Sequence, residues 1–299
     1  MKVLSLFDGM SGAYQALKNL GVKVDKYYAS EIDKWAIKVA KKNHPEIIHI
    51  GDVKEIKTYM LPEKIDLLIG GSPCQGFSFA GKQLNFEDER SVLFFEFVRI
   101  LKEVKPKYFL LENVRMKKEY QDVISNLLGV EPVMIDSQLL TAQMRKRLYW
   151  TNIEGIEQPS NKGIFLKDII IDAETDREKS FCLDANYFKG ASYESYIKKS
   201  RRQLVLAGHA TNIKGHDSIK RIYDISGKCP TLTTMGGGHR EPKISVSAVR
   251  WRKLTPIECE RLQGYSDNYT VGVSNTQRYK MLGNSFTVPV ISHILKRLA

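Results

Sequence analysis

The 299-residue sequence predicts an α/β fold: a doubly wound, mostly parallel sheet with a smaller, irregular, β-rich second domain. Three observations carry this. Short apolar runs alternate with amphipathic stretches through the first 150 residues, as in repeated strand–helix units. Residues 151–250 then hold short mixed segments, glycine turns and basic clusters such as Lys198-Lys199-Ser200-Arg201-Arg202. From Leu254 helical patterning returns and closes on Pro289–Leu298, whose apolar Val290, Ile291, Ile294, Leu295 and Leu298 need a sheet to cover. The expected division is therefore 1–150, 151–250 and 251–299, with the last segment returning to the first domain.

In chain order, Val3–Phe7 reads as a buried strand ending in the turn Asp8-Gly9-Met10-Ser11-Gly12. Ala13, Ala16, Leu17 and Leu20 then recur at helical spacing, and Gly21 supplies a stop. Tyr27–Ala29, Ile47–Ile50, Ile65–Ile69, Tyr108–Leu111, Pro132–Ile135 and Leu148–Trp150 read as further strands. Trp35–Ala40, Ser91–Glu103 and Tyr120–Leu128 read as helices between them. Later, Thr231–Gly238 reads as a strand running into a flexible loop, and Thr255–Leu262 as a helix.

Composition excludes several classes. A hydrophobic fraction of 42% rules out wholesale disorder. No run of about 18 apolar residues exists, so no transmembrane helix is expected, and the N-terminus lacks the pattern of a signal peptide. Cys74, Cys182, Cys229 and Cys259 are far apart with no CxxC pair, which argues against a disulfide framework or a metal site and for a reducing cytoplasm. A net charge of +12 favours an acidic partner, nucleic acid first. The three segments carry +4 each, so net charge does not say where a polyanion would lie.

Four places carry chemistry. The glycine turn Phe7–Gly12 follows the first strand and would let backbone approach a ligand closely. Glu31, 19 residues after Gly12 and at the end of the second strand, stands where an acid can grip two ribose hydroxyls, and Asp52, after the third strand, could accept from an adenine amino group. NAD, FAD and S-adenosylmethionine all fit this outline, although the turn is not G-x-G-x-x-G, which tells against a pyrophosphate. Cys74, in Gly70-Gly71-Ser72-Pro73-Cys74-Gln75-Gly76, follows a central strand among small, turn-forming neighbours that would present its thiol on a loop. Glu112-Asn113-Val114 ends another strand, and Arg145 and Arg147, two apart, would point to the same side of an extended chain. Cys74, Glu112 and the ribose-gripping acids would share one rim.

Together these residues resemble the DNA (cytosine-5)-methyltransferase family, prokaryotic or phage type. PCQ at Cys74, ENV at Glu112, QMRKR at Arg145 and Arg147, RKLTPIECERLQGY (Arg252–Tyr265) and GNSFTVPV (Gly283–Val290) look like its ordered motifs. The likeness covers 1–150 and about 250–299. Residues 151–250 match loosely, where that family keeps its target-recognition domain. One departure stands out: Ser11 occupies a position where the family usually has glycine.

The resemblance implies a Rossmann-like S-adenosylmethionine-dependent methyltransferase fold. It implies transfer of a methyl group from S-adenosyl-L-methionine to C5 of a flipped-out cytosine in duplex DNA, leaving S-adenosyl-L-homocysteine, with no metal. Cys74 would attack C6, Glu112 would serve N3 and the 4-amino group, Arg147 would meet O2, and Arg145 would hold a phosphate or stabilise the thiolate. Phe7, Gly9, Ser11, Gly12, Glu31, Ile32, Asp52, Val53, Pro73, Leu93, Asn284 and Ser285 would hold the cofactor. Gln75, Ser78, Arg145, Arg221, Thr231, Gly236 and Gly237 would meet DNA. The expected protein is a cytoplasmic monomer without accessory domains, off the membrane, serving restriction-modification or phage self-protection beside a separately acting endonuclease. Rival readings are a tRNA methylase sharing the same motifs, a catalytically dead DNA-binding protein, which the presence of Cys74, Glu112, Arg145 and Arg147 disfavours, and a cofactor-independent thiol enzyme, which leaves Glu31, Asp52 and Asn284 unexplained.

Overall fold

In the computed structural model, residues 1–61, 64–72, 89–171, 173–190, 196, 198–207, 222–224, 243–245 and 250–299 are described. Seven strands form the central sheet: β1 (Lys2–Leu6), β2 (Lys26–Ser30), β3 (Ile48–Gly51), β4 (Leu67–Gly71), β5 (Tyr108–Val114), β6 (Val133–Asp136) and β7 (Lys146–Thr151). Their order is β3-β2-β1-β4-β5-β7-β6. Pairing is parallel except at β7, which runs against β5 and β6. The doubly wound, mostly parallel sheet expected from the alternation of elements is the one observed.

The sheet is buried on both faces, so its strands read as near-continuous apolar runs. Successive side chains go to opposite sides. Val3, Tyr27, Ala29, Leu67 and Ile69 join one apolar cluster with α1 (Gly12–Asn19), α2 (Lys34–Asn43) and the C-terminal α7 (Val288–Leu295). Leu4, Leu6, Tyr28, Leu68 and Leu111 join the other, with α3 (Glu89–Val104) and α4 (Lys118–Leu128). Helix α7 packs on α1.

Local chemistry sets the helix ends. Asp33 caps α2, its Oδ1 accepting from the Trp35 amide at 2.9 Å. Helix α5 (Pro256–Gln263) opens with a reciprocal Thr255–Glu258 capping box and closes on left-handed Gly264. Ser274 caps α6 (Asn275–Asn284).

Two differences from the sequence reading matter. Strand β5 runs on through Glu112 to Val114, because antiparallel β7 supplies partners: Glu112 faces Tyr149 and Val114 faces Arg147. In addition, Ile153, Leu166, Ile169, Leu183 and Tyr187 share the apolar cluster of Val3, Leu17 and Ile291, so core packing runs across position 150. Among the described residues of the middle stretch, β8 (Leu204–Ala207) pairs antiparallel with β11 (Arg250–Lys253), and β9 (Ile222–Asp224) pairs parallel with β10 (Lys243–Ser245).

The C-terminal segment docks by close backbone approach at Gly283. A Cβ there would lie 2.3 Å from the Asp184 carbonyl carbon and 2.5 Å from the Ala185 nitrogen, and backbone cannot rotate away. Gly283→Ala is expected to cost about 3 kcal/mol or more, the upper range of overpacking. The check is the urea midpoint at unchanged m-value.

Candidate active site

Strand order reverses between β1 and β4: the chain moves outward to β2 and β3 on one side and to β5 on the other. Loops leaving the carboxyl ends of β1 and β4 therefore diverge and open a crevice, the usual ligand site of an open α/β sheet. A cavity of about 510 Å³ lies there. Of the residues expected from sequence, Phe7, Gly9, Gly12, Glu31, Ile32, Asp52, Val53, Leu93, Glu112, Arg145, Arg147, Asn284 and Ser285 line it. Pro73, Cys74, Gln75, Ser78, Arg221, Thr231, Gly236 and Gly237 lie outside the described residues.

At one end stands Glu31. Its Oε2 accepts from the Gly9 amide and its Oε1 from the Ile32 and Asp33 amides, all at 2.8 Å. A carboxylate offers about four acceptor positions, so three backbone donors orient it and leave capacity for a ligand hydroxyl. Ile32 beside it is 72% exposed, an apolar surface facing the same cavity. Asp52 caps the next short turn through its Oδ1, accepting from the Lys54 amide at 3.0 Å. Lys280 of α6 reaches Asp33 at 2.9 Å and ties the C-terminal segment to this end.

At the other end Glu112 pairs with Arg147, Nε to Oε1 at 3.0 Å, both side chains about 15% exposed. Adjacent strands bring Glu112 opposite Gly71. A Cβ on Gly71 would lie 2.9 Å from the Phe286 ring and 3.2 Å from Glu112 Oε2, so only glycine lets both approach. Buried Asn113 donates to the Ser72 hydroxyl at 3.1 Å, joining the β4 and β5 ends two residues before Cys74.

Two of the expected residues also carry structural roles. Arg145 is only 4% exposed, and its guanidinium donates to the carbonyls of Leu183 (3.0 Å), Gly283 (3.2 Å) and Ser285 (3.0 Å). These bonds clamp the C-terminal segment, and Arg145 also lines the cavity. It immediately precedes β7, which begins at Lys146, and like Arg147 it lines the cavity. Ser11 is fully buried behind the cavity, and its hydroxyl donates to Asp8 Oδ2 at 2.5 Å. It sits at φ 64, left-handed backbone that favours glycine.

Sequence reasoning assigned no role to Asp8, Asn113, Phe286 or Lys280, all of which line the cavity. Asp8 lay in the glycine turn and Asn113 beside Glu112, so proximity to a motif was the signal available. Cys182 is half-buried with its sulfur 3.5 Å from Arg145 Nη1. Cys259 is buried in α5, where burial pushes its thiol up.

The family model for C-5 cytosine-specific DNA methylase matches residues 1–299. The chain is 31% identical to Type II methyltransferase M.HhaI of Haemophilus parahaemolyticus, over 98% of this chain and 93% of that one. It is 29% identical to Orphan methyltransferase M.SPBetaI of Bacillus phage SPbeta, over 100% and 97%. In fold it is similar to the Entamoeba histolytica methyltransferase EhMeth, with a TM-score of 0.65 at 18% identity, covering 100% of this chain and 97% of that one.

Burial pushes the Asp8 carboxyl up to about 6, against the opposing effect of the Ser11 and Tyr27 hydroxyls that donate to it. Raised above its unfolded value, the group binds its proton more tightly when folded. Its stabilising contribution is complete below about pH 4 and is lost as pH rises through about 6. Between pH 4 and 7 the stability difference between Asp8→Asn and wild type is expected to move by roughly 2–3 kcal/mol in the variant's favour. Urea unfolding across that range measures it.

Proposed function

Because this chain belongs to the C-5 cytosine-specific DNA methylase family and is a DNA cytosine-5 methyltransferase, we propose that it uses S-adenosyl-L-methionine, flips its target cytosine and works through a covalent Cys74–C6 bond. The observation that supports this best is one cavity with two chemically different ends: the Glu31–Ile32–Asp52 end and the Glu112–Arg147 end.

The first end suits a nucleoside. Glu31 is oriented by three amides with an acceptor position to spare, Ile32 offers an exposed apolar face, and Asp52 stands beyond it. Phe7, Gly9, Gly12, Val53, Leu93, Asn284 and Ser285 would complete the hold, with Pro73 from the Cys74 loop. When bound, S-adenosyl-L-methionine supplies an electrophilic methyl group.

The second end suits a pyrimidine. C5 of cytosine is a poor nucleophile until the ring is activated. The Cys74 thiolate adds to C6, and the ring becomes an enamine with its nucleophilic carbon at C5. Charge building on the ring is met at N3 by Glu112, which also reads the 4-amino group. Arg147 holds Glu112 and addresses O2. Once C5 has taken the methyl group from the sulfonium, a base such as water removes the C5 proton, the C6–S bond breaks and the Cys74 thiolate leaves. A stacked base cannot reach these groups, so the cytosine leaves the duplex. Residues 151–250 carry base readout, with Arg221, Thr231, Gly236 and Gly237, joined by Gln75 and Ser78, near DNA. The reading places the protein as a monomer in restriction-modification or phage self-protection, with any cognate nuclease acting separately.

Fluorine at C5 cannot leave as a cation, so the adduct stalls after methyl transfer. Duplex DNA carrying 5-fluorocytosine at the target is expected to trap the wild type in a denaturant-stable complex that requires S-adenosyl-L-methionine. Cys74→Ala loses trapping and turnover, while alanine at 182, 229 or 259 keeps both. Glu112→Gln slows adduct formation by roughly 10²–10⁴-fold. Trapping that survives in Cys74→Ala, or that occurs on tRNA and not on DNA, overturns the reading.

A further inference from the structure

We infer that Asp8 and Ser11 form a buried positioning pair that fixes the carboxylate of Glu31, an inference that rests on the cofactor reading above. Asp8, Gly9, Met10 and Ser11 make one turn, closed by the Ser11 amide donating to the Asp8 carbonyl at 3.0 Å. The turn is tied to β2 by the Asp8 amide donating to the Ser30 carbonyl at 3.0 Å and by the Tyr27 hydroxyl donating to Asp8 Oδ1 at 2.7 Å. Its fourth residue, Ser11, adopts φ 64 and ψ 43, a conformation costly for any residue with a Cβ. The Ser11 hydroxyl offsets that cost by donating to Asp8 Oδ2. With the turn held, the Gly9 amide points at Glu31 Oε2.

Neither Asp8 nor Ser11 needs to touch a ligand for this. Ser11 has no exposed surface and Asp8 is 4% exposed. Their effect passes through backbone: release Ser11 from the left-handed region, and Gly9 turns away from the carboxylate that would grip ribose. The pair lets a serine occupy a position that otherwise calls for glycine, and it makes cofactor affinity depend on a side chain buried behind the site.

Two variants at one position separate backbone from hydroxyl. Ser11→Ala removes the hydroxyl and keeps the Cβ; Ser11→Gly removes both. Calorimetry with S-adenosyl-L-homocysteine is expected to show affinity falling about five- to thirtyfold in Ser11→Ala and staying within about threefold of wild type in Ser11→Gly. Without ligand, the thermal midpoint falls by a few degrees in Ser11→Ala and by less in Ser11→Gly. In the Ser11→Gly background, Asp8→Ala weakens binding less than Asp8→Ala does alone. Equal loss in Ser11→Ala and Ser11→Gly overturns the inference, because the hydroxyl itself then matters. A lowered midpoint with unchanged affinity in Ser11→Ala also overturns it, leaving the pair a stability element only. Wild-type protein that fails to bind S-adenosyl-L-homocysteine removes the cofactor reading and this inference with it.

Discussion

One buried guanidinium joins the parts of this molecule. Arg145, just ahead of the antiparallel strand β7, donates to carbonyls at Leu183, Gly283 and Ser285. Two stretches about 100 residues apart thus meet on one rigid, planar donor set. Carbonyls buried at such a junction need partners, since leaving one unsatisfied costs about 1–3 kcal/mol. Much of the cavity depends on this junction: Asn284, Ser285 and Phe286 reach it only because the chain at Gly283 is pressed against Asp184. The arginine that the family resemblance puts at a phosphate or at the thiolate also fastens one wall of the site.

The two ends of the cavity are electrostatically distinct. Glu31 accepts from three backbone amides, which fix the orientation of its carboxylate. Glu112 instead faces Arg147 at 3.0 Å with both side chains largely out of water. Removing either partner of such a pair leaves an uncompensated charge and costs about 3–5 kcal/mol, so the two act as a unit. A base edge that engages Glu112 must share it with Arg147, which ties the group that reads cytosine to the group that would meet its O2.

At the cavity wall, Asp8 shows how a site can be supported by a largely buried carboxyl. Its carboxyl is desolvated, which raises its proton affinity, yet Tyr27 and Ser11 both donate to it. Such buried polar networks are costly unless satisfied and rigid once they are. Here the rigidity is applied to the turn that faces Glu31.

Most of the sheet was legible in the sequence, because a strand buried on both faces declares itself by an apolar run and a glycine turn, both local signals. The placement of Glu31, Asp52 and Glu112 was legible for the same reason: each follows or ends such a run, and strand carboxyl ends in a parallel sheet share one rim. The extension of β5 through Glu112 was not, since it depends on antiparallel β7 lying beside it, a pairing between residues about 35 apart. Nor were the backbone partners of Arg145, because its acceptors at Leu183 and Ser285 lie 38 and 140 residues away. The left-handed Ser11 and the desolvated Asp8 were equally hidden. By itself the sequence determined the elements, their order and the kinds of chemical group at the rim. Only the tertiary structure decided which of those groups face the cavity and which hold it open, because burial depth and partner identity are set by contacts between distant segments, and a linear pattern carries neither.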